Sequence, residues 1–156
     1  MIQANRTTLF FGTTGTAVRE LQTLLRNYAN KIGSRSINPG TIDGLFGLKT
    51  EAAVQAFQRQ VFLPNTGVVD EITWRSLIVR GPVDLPELRP GMFGDAVIFL
   101  QVRLTLLELF HAPIDSEYGE TTRSAVVAFQ QSVGLSATGV VDQQTWGALS
   151  ARAIDG

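Results

Sequence analysis

Three acidic residues, Asp115, Glu117 and Glu120, stand within one short stretch of the chain. Paired carboxyl groups are what glycoside hydrolysis uses: one protonates the leaving oxygen while the other acts as base or nucleophile across a cleft. The corresponding place earlier in the chain offers only Asp43 and Glu51, and neither stretch brings the residues of a long cleft. A zinc hydrolase of the amidase or endopeptidase kind needs several histidine or thiolate ligands. The chain has one histidine, His111, and no cysteine, so thiolate nucleophiles, thiolate metal sites and disulfides are excluded. His111, in ELFHAPID, has no partner cluster near it and reads as a surface or structurally satisfied imidazole. Neither catalysis nor a metal or cofactor is expected.

A repeated turn is the first candidate for a binding role, to be weighed against a purely structural one. DGLFG at 43–47 returns as DSEYG at 115–119, with acid, aromatic and closing glycine in the same places. Asp43 and Asp115 can accept backbone N–H bonds in an Asx-type turn, while Gly47 and Gly119 permit a backbone excursion. Thr50 and Thr122 fall in the first turn of the next helix. Read as a binding site, the turn lines a shallow groove: Phe46 or Tyr118 stacks on a sugar, and amides at the helix start meet a carboxylate. Read as scaffold, the two rings are core plugs and the aspartates turn staples, which a fold requirement alone would also preserve. The ligand candidates are Asp43, Gly44, Phe46, Thr50, Asp115, Tyr118 and Thr122. Gln22, Gln58, Gln101 and Gln130 recur beside core positions, where their amides would satisfy loop backbone groups. Trp74 and Trp146 share a helix face with Leu77 and Leu149 and read as core.

The elements that must position these residues are themselves repeated. GTTGTAVRELQTLL (12–25) aligns with GMFGDAVIFLQVRL (91–104), and residues 43–77 align without a gap with 115–149. The offsets, 79 and 72, leave about seven extra residues in the first copy, in the polar stretch NKIGSRSINPG (30–40). Each copy has three helical signals. The first runs over about 17–29, with Val18, Leu21, Leu25 and Tyr28 on one face and Thr16 or Asp95 placed to cap it. The second runs over about 48–61, with Val54, Phe57 and Val61 inward, matched by Val126, Phe129 and Val133. The third opens after TGVVD, where Asp70 and Asp142 are good N-caps. The expected architecture is all-α: two tandem three-helix modules, 1–79 and 91–156, joined by a stiff Pro-rich linker over 80–90.

The chain of 156 residues, 44% hydrophobic and 17% charged, is composed as a folded protein, with no apolar run long and clean enough to span a bilayer. No export signal opens the sequence. Its net charge of −1 argues against general nucleic-acid binding. The halves are opposite, however: nine Lys and Arg against five Asp and Glu over 1–81 give +4, and four against nine over 82–156 give −5.

The pattern GxxGxAVxxLQxxL, D-x-x-aromatic-G-x-x-T, AVxxFQ and TGVVDxxTWxxL resembles the peptidoglycan-binding domain found beside bacterial cell-wall hydrolases and in phage endolysins. The resemblance covers 12–77 and 91–149 and implies a non-catalytic module that holds its host on the glycan strand and stem peptide of the wall. It implies work in the cell envelope, with a cell-wall hydrolase or a second copy of the chain as candidate protein partners. The more cationic first copy, with Arg19, Lys49 and Arg59, is the expected home of an anionic contact. Departures stand out. Ser116 replaces Gly44 in the second turn, and Phe62 in the first copy replaces the helix-ending Gly134. A left-handed residue is strained for phenylalanine, so the first copy is expected to leave its second helix by another path or to expose Phe62. The first helix of the second copy adds an apolar stripe, Ile98, Val102, Leu106 and Leu109 with Phe99 beside it, where the first copy is polar. Such a stripe is expected to be covered by the first copy or by another chain, and an assembly module acting through it is the alternative function.

Overall fold

The computed structural model describes residues 6–155, and six helices make up the regular structure among them: α1 (Thr16–Ile32), α2 (Leu48–Gln60), α3 (Glu71–Val79), α4 (Asp95–Leu106), α5 (Glu120–Ser132) and α6 (Gln143–Ser150). The expected all-α class and tandem helical modules are present. None of these helices is long and apolar enough to cross a membrane. The chain divides into two compact units, the first running to residue 83 and including the segment from 150 onward, the second spanning 84–149.

Both ends of the second unit differ from the sequence expectation, for physical reasons. The segment after Leu149 joins the first unit because Gln60, Tyr28 and Ser34 hydrogen-bond to it. Part of the expected linker is instead structural. Leu88 is buried and exchanges backbone bonds with Val141 (3.0 and 2.8 Å), and the Trp146 indole N–H donates to the Pro86 carbonyl at 2.8 Å. The first unit does the same with Leu9 and Val69, and with Trp74 donating to Thr7.

In the first unit, α1 buries Val18, Leu21, Leu25 and Tyr28, the face that its spacing predicts. Tyr28 meets Phe57 of α2 edge-on at 5.0 Å, and Trp74 and Leu77 of α3 close the core. The helix continues past the expected end to Ile32 and stops at Gly33, whose φ of 77° lets residues 33 and 34 both bond back to the Ala29 carbonyl. At 17 residues α1 outlasts the 12 of α4, so five of the seven extra residues lengthen the helix and the other two lengthen the loop after it.

Two local expectations fail. Thr16 and Asp95 are the first helical residues rather than caps; the N-cap positions belong to Gly15 and Gly94, with no side-chain bond. Their φ values of 127° and 124° let each glycine N–H reach the D-x-x-aromatic-G turn, at the carbonyls of Gly44 and Ser116. Asp70 and Asp142 do cap α3 and α6, accepting from Thr73 N at 3.1 Å and Thr145 N at 2.9 Å. Phe62 follows the same left-handed path as Gly134, with φ 67° against 79°. Leu63 N and Leu135 N close the equivalent bonds, both at 2.8 Å, so the helix-ending hydrogen bonds and a half-buried ring outweigh the strain.

In the second unit, α4 buries Val97, Leu100 and Leu104 on one side. The other side of the helix carries the second apolar stripe. Phe99, Val102 and Leu106 are 40%, 39% and 54% exposed, with Ile98 and Leu109 partly covered.

Candidate functional site

Each repeated turn is assembled around one glutamine. In the first unit the Gln22 amide, 1% exposed, donates to Asp43 Oδ1, the Leu45 carbonyl and Thr50 Oγ1 at 3.0–3.1 Å. Its oxygen accepts the N–H groups of Asp43 and Gly44 at 3.1 and 3.0 Å. Asp43 closes the Asx turn by accepting Leu45 N at 2.9 Å. Bonds from Leu45 N–H and from Gln22 hold the exposed Asp43 carboxyl below its ordinary pKa. Gln101 repeats the whole pattern around Asp115, Ser116, Glu117 and Thr122, and Asp115 is lowered in the same way. Gln58 and Gln130 do for the TGVV turns what the sequence leads one to expect, holding Gly67 with Val68 and Gly139 with Val140.

This arrangement sorts the ligand candidates. Phe46 and Tyr118 are each 2% exposed and point into their cores, so neither offers a ring face to a sugar; the stacking expectation is corrected. The Tyr118 hydroxyl is spent on the Gly139 carbonyl, and burial pushes its pKa up to about 12. Thr50 and Thr122 are also buried, their hydroxyls engaged by Gln22 and Gln101. Gly44, at φ 76°, is buried, and a Cβ there would lie 3.2 Å from the Gly15 carbonyl. Asp43 and Asp115 remain exposed but act as staples. Trp74 and Trp146 are buried, and His111 lies on the surface. Among the described residues no group of three or more His, Asp and Glu gathers as a metal site would.

What the first turn presents to solvent is its surroundings. A groove of about 350 Å³ runs beside it, lined by Gln22, Pro39, Gly40, Asp43, Leu45 and the start of α2 from Gly47 to Thr50. Leu45 and Leu48 stand 56% and 74% exposed on its edge. Lys49 crosses Gly40 closely enough that a Cβ there would meet its Nζ at 3.1 Å. No side chain caps α2, which leaves the first-turn amides of Leu48, Lys49 and Thr50 without intrahelical partners at the groove. Next to the turn, Gly12 N bonds to the Phe46 carbonyl and carries Phe10 and Phe11, both 54% exposed.

The second unit bears different side chains in these places. Arg89 and Pro90 replace the phenylalanines, Glu117 and Glu120 replace Leu45 and Leu48, and Thr121 replaces Lys49. Sequence reasoning missed the apolar set of the first unit because those residues vary between copies. The signal lay in the variation itself: apolar residues in a loop whose duplicate is charged.

The family described as "Putative peptidoglycan binding domain" matches residues 14–77 and 93–149. The N-acetylmuramoyl-L-alanine amidase CwlM of Mycobacterium tuberculosis (strain ATCC 25618 / H37Rv) is 30% identical over 106 residues, covering 65% of this chain and 26% of the amidase. Protein YbfG of Bacillus subtilis (strain 168) is 38% identical over 55 residues, 35% of this chain and 8% of that protein. The chain thus spans about a quarter or less of these relatives' own length. The SleB N-terminal domain superposes with a TM-score of 0.42 at 29% identity, over 42% of this chain and 90% of that one. A Burkholderia AP3 phage endolysin gives 0.41 at 42% identity, over 42% of this chain and 25% of that one. With two matched segments that take in most of the sequence, the chain belongs to the peptidoglycan-binding domain family.

Proposed function

We propose that the chain binds bacterial peptidoglycan without catalysing a reaction on it, and that the first module makes the principal contact. The observation that carries this is the joining of Phe10, Phe11, Leu45 and Leu48 with Lys49 around the uncapped start of α2. Exposed rings and leucines suit the apolar faces of sugars, while Lys49 and the helix-start amides suit a stem-peptide carboxylate or another wall anion. In the second module Glu117 and Glu120 repel such an anion, and that module serves as a weaker second contact that adds avidity where both can engage. A wall ligand places this activity in the cell envelope, where a cell-wall hydrolase is a natural companion.

The test is retention on purified sacculi at low salt. Phe10→Ser with Phe11→Ser, and separately Lys49→Glu, are expected to lower retention at least tenfold with circular dichroism unchanged. Glu117→Gln is expected to leave retention intact or improve it. Equal retention of all variants would refute the assignment. The open face of α4 supports the second reading, assembly through Phe99, Val102 and Leu106. A sacculus-negative wild type that dimerises, and loses dimerisation on Leu106→Glu, would select it.

A further inference from the structure

The extra residues of the first module build something that the wall-binding reading does not use. Immediately after Gly33, the Ser34 hydroxyl and the backbone N–H groups of Arg35 and Ser36 converge on one carboxylate, that of Asp155, at 2.7, 2.8 and 2.8 Å. Ser34 is 6% exposed, and its Oγ also accepts Ile37 N, which fixes its orientation. Successive backbone amides with a hydroxyl form a concave anion nest.

Beside the nest, the buried Gln60 side chain reads the backbone of the same segment. Its amide donates to the Ser150 and Arg152 carbonyls, both at 2.7 Å, and its oxygen accepts Ile154 N at 3.3 Å. Tyr28 adds a bond to the Ser150 carbonyl. A cavity of about 170 Å³, lined by Ser36, Ile37, Ala56 and Arg59 among others, adjoins Ile154 and Asp155. These bonds engage main-chain groups at 150, 152 and 154 and a single side chain, the carboxylate at 155. Peptide recognition uses this division: backbone bonds for grip and one charged group for register.

The second module cannot form such a cradle. Its first helix is five residues shorter, and Ser132 and Leu107 stand where Gln60 and Tyr28 do. We infer that the insertion of the first module is a peptide-binding cradle for an extended segment bearing a carboxylate, and that segment 150–155 is its intramolecular occupant. Tethering gives the occupant an effective concentration on the order of millimolar, enough to fill a site of modest intrinsic affinity. The cradle stands apart from the groove beside residues 43–47, so it holds whether or not that groove binds the wall.

The test uses the full chain and the capped peptides Ac-SARAID-NH2 and Ac-SARAIN-NH2, whose only difference is the carboxylate. In Asp155→Ala, the Arg35 and Ser36 amide resonances are expected to move upfield and to lose at least tenfold in exchange protection. Ac-SARAID-NH2 at millimolar concentration should restore both saturably, and Ac-SARAIN-NH2 should not. Unchanged amides in the variant, or equal effects of the two peptides, would overturn the inference. Should Asp155→Ala fail to fold, the wild-type chain decides. Ac-SARAID-NH2 must then lower the exchange protection of the Ile154 amide, which the Gln60 oxygen holds, more than Ac-SARAIN-NH2 does, and equal protection would overturn it.

Discussion

Replacing Gln22 by glutamate changes one amide nitrogen to oxygen at the centre of the first turn, with no change of shape. The acceptor side of the network survives, because Asp43 N and Gly44 N still find an oxygen. The donor side is lost: Leu45 O and Thr50 Oγ1 lose the N–H that reaches them at 3.1 and 3.0 Å, and Asp43 Oδ1 then faces a second carboxylate. The Leu45 carbonyl keeps the Gly47 N–H, but buried Thr50 Oγ1 loses its donor and a new carboxylate is forced against Asp43; at about 1–3 kcal/mol for a stranded buried group, and more for a charged one, the expected total is about 3 kcal/mol at pH 7. The new carboxyl is buried and next to an anion, so its folded pKa rises above the ordinary glutamate value of about 4.3. A raised pKa means that the folded state binds more protons, so stability is kept below about pH 4 and lost as pH rises. At pH 4 the new carboxyl is protonated and again donates, while Asp43, held below its ordinary pKa, still accepts. Trp74 and Trp146 place one tryptophan in each module, so fluorine NMR of 5-fluorotryptophan-labelled protein follows each separately. With a urea slope of about 1 kcal/mol/M, the Trp74 midpoint should fall by about 3 M at pH 7 relative to wild type and by less than about 1 M at pH 4. Gln101→Glu should move the Trp146 signal in the same manner. A midpoint shift that is the same at both pH values would refute this account of the turn.

Other substitutions probe the differences between copies. Ser116 holds φ 63°, so Ser116→Gly should stabilise the second module by up to about 1 kcal/mol in urea melts. Gly44→Ser should destabilise the first by at least as much, since its Cβ would press on the Gly15 carbonyl and Arg19. Phe62→Gly exchanges left-handed strain for lost burial, and its melting midpoint should stay within about 1 kcal/mol of wild type. At Asp155 burial works to raise the pKa, but bonds from Ser36, Ser34 and Arg35 outweigh it and hold the value at about 2, with Arg59 of α2 lining the same cavity. Its contribution should therefore be full above the unfolded value near 4, decline progressively below it and be gone once pH has fallen through about 2, read as loss of Ser36 amide protection.

Periodicity made the helices and the core legible. Val18, Leu21, Leu25 and Phe57 occupy the positions that their spacing assigns, and duplication made the alignment of the two modules unambiguous. Spacing could not tell whether Phe46 and Tyr118 face in or out, because a loop residue has no period to fix its direction. The structure turns them inward because their backbone pairs with residues 12–13 and 91–92 and swings the rings beneath the turn. Phe62 misled because propensity weighs one residue while two helix-ending hydrogen bonds and a half-buried ring act together. The nest around Asp155 was invisible for another reason. It joins residues about 120 positions apart, and two of its donors are main-chain N–H groups, which sequence does not distinguish.

The indole bonds from Trp74 to Thr7 and from Trp146 to Pro86 decide where the chain can be cut. Each tryptophan on the last helix of a module fastens the stretch that enters it, well upstream of the first helix. A fragment begun at residue 91, where the repeated pattern starts, would discard Leu88 and the Pro86 carbonyl that accepts from the Trp146 indole, opening a gap beside Val141. Begun at residue 84, it would keep both. The transplantable unit is a loop fastened at its entrance, and a fusion that respects only the helices would carry an unsealed module.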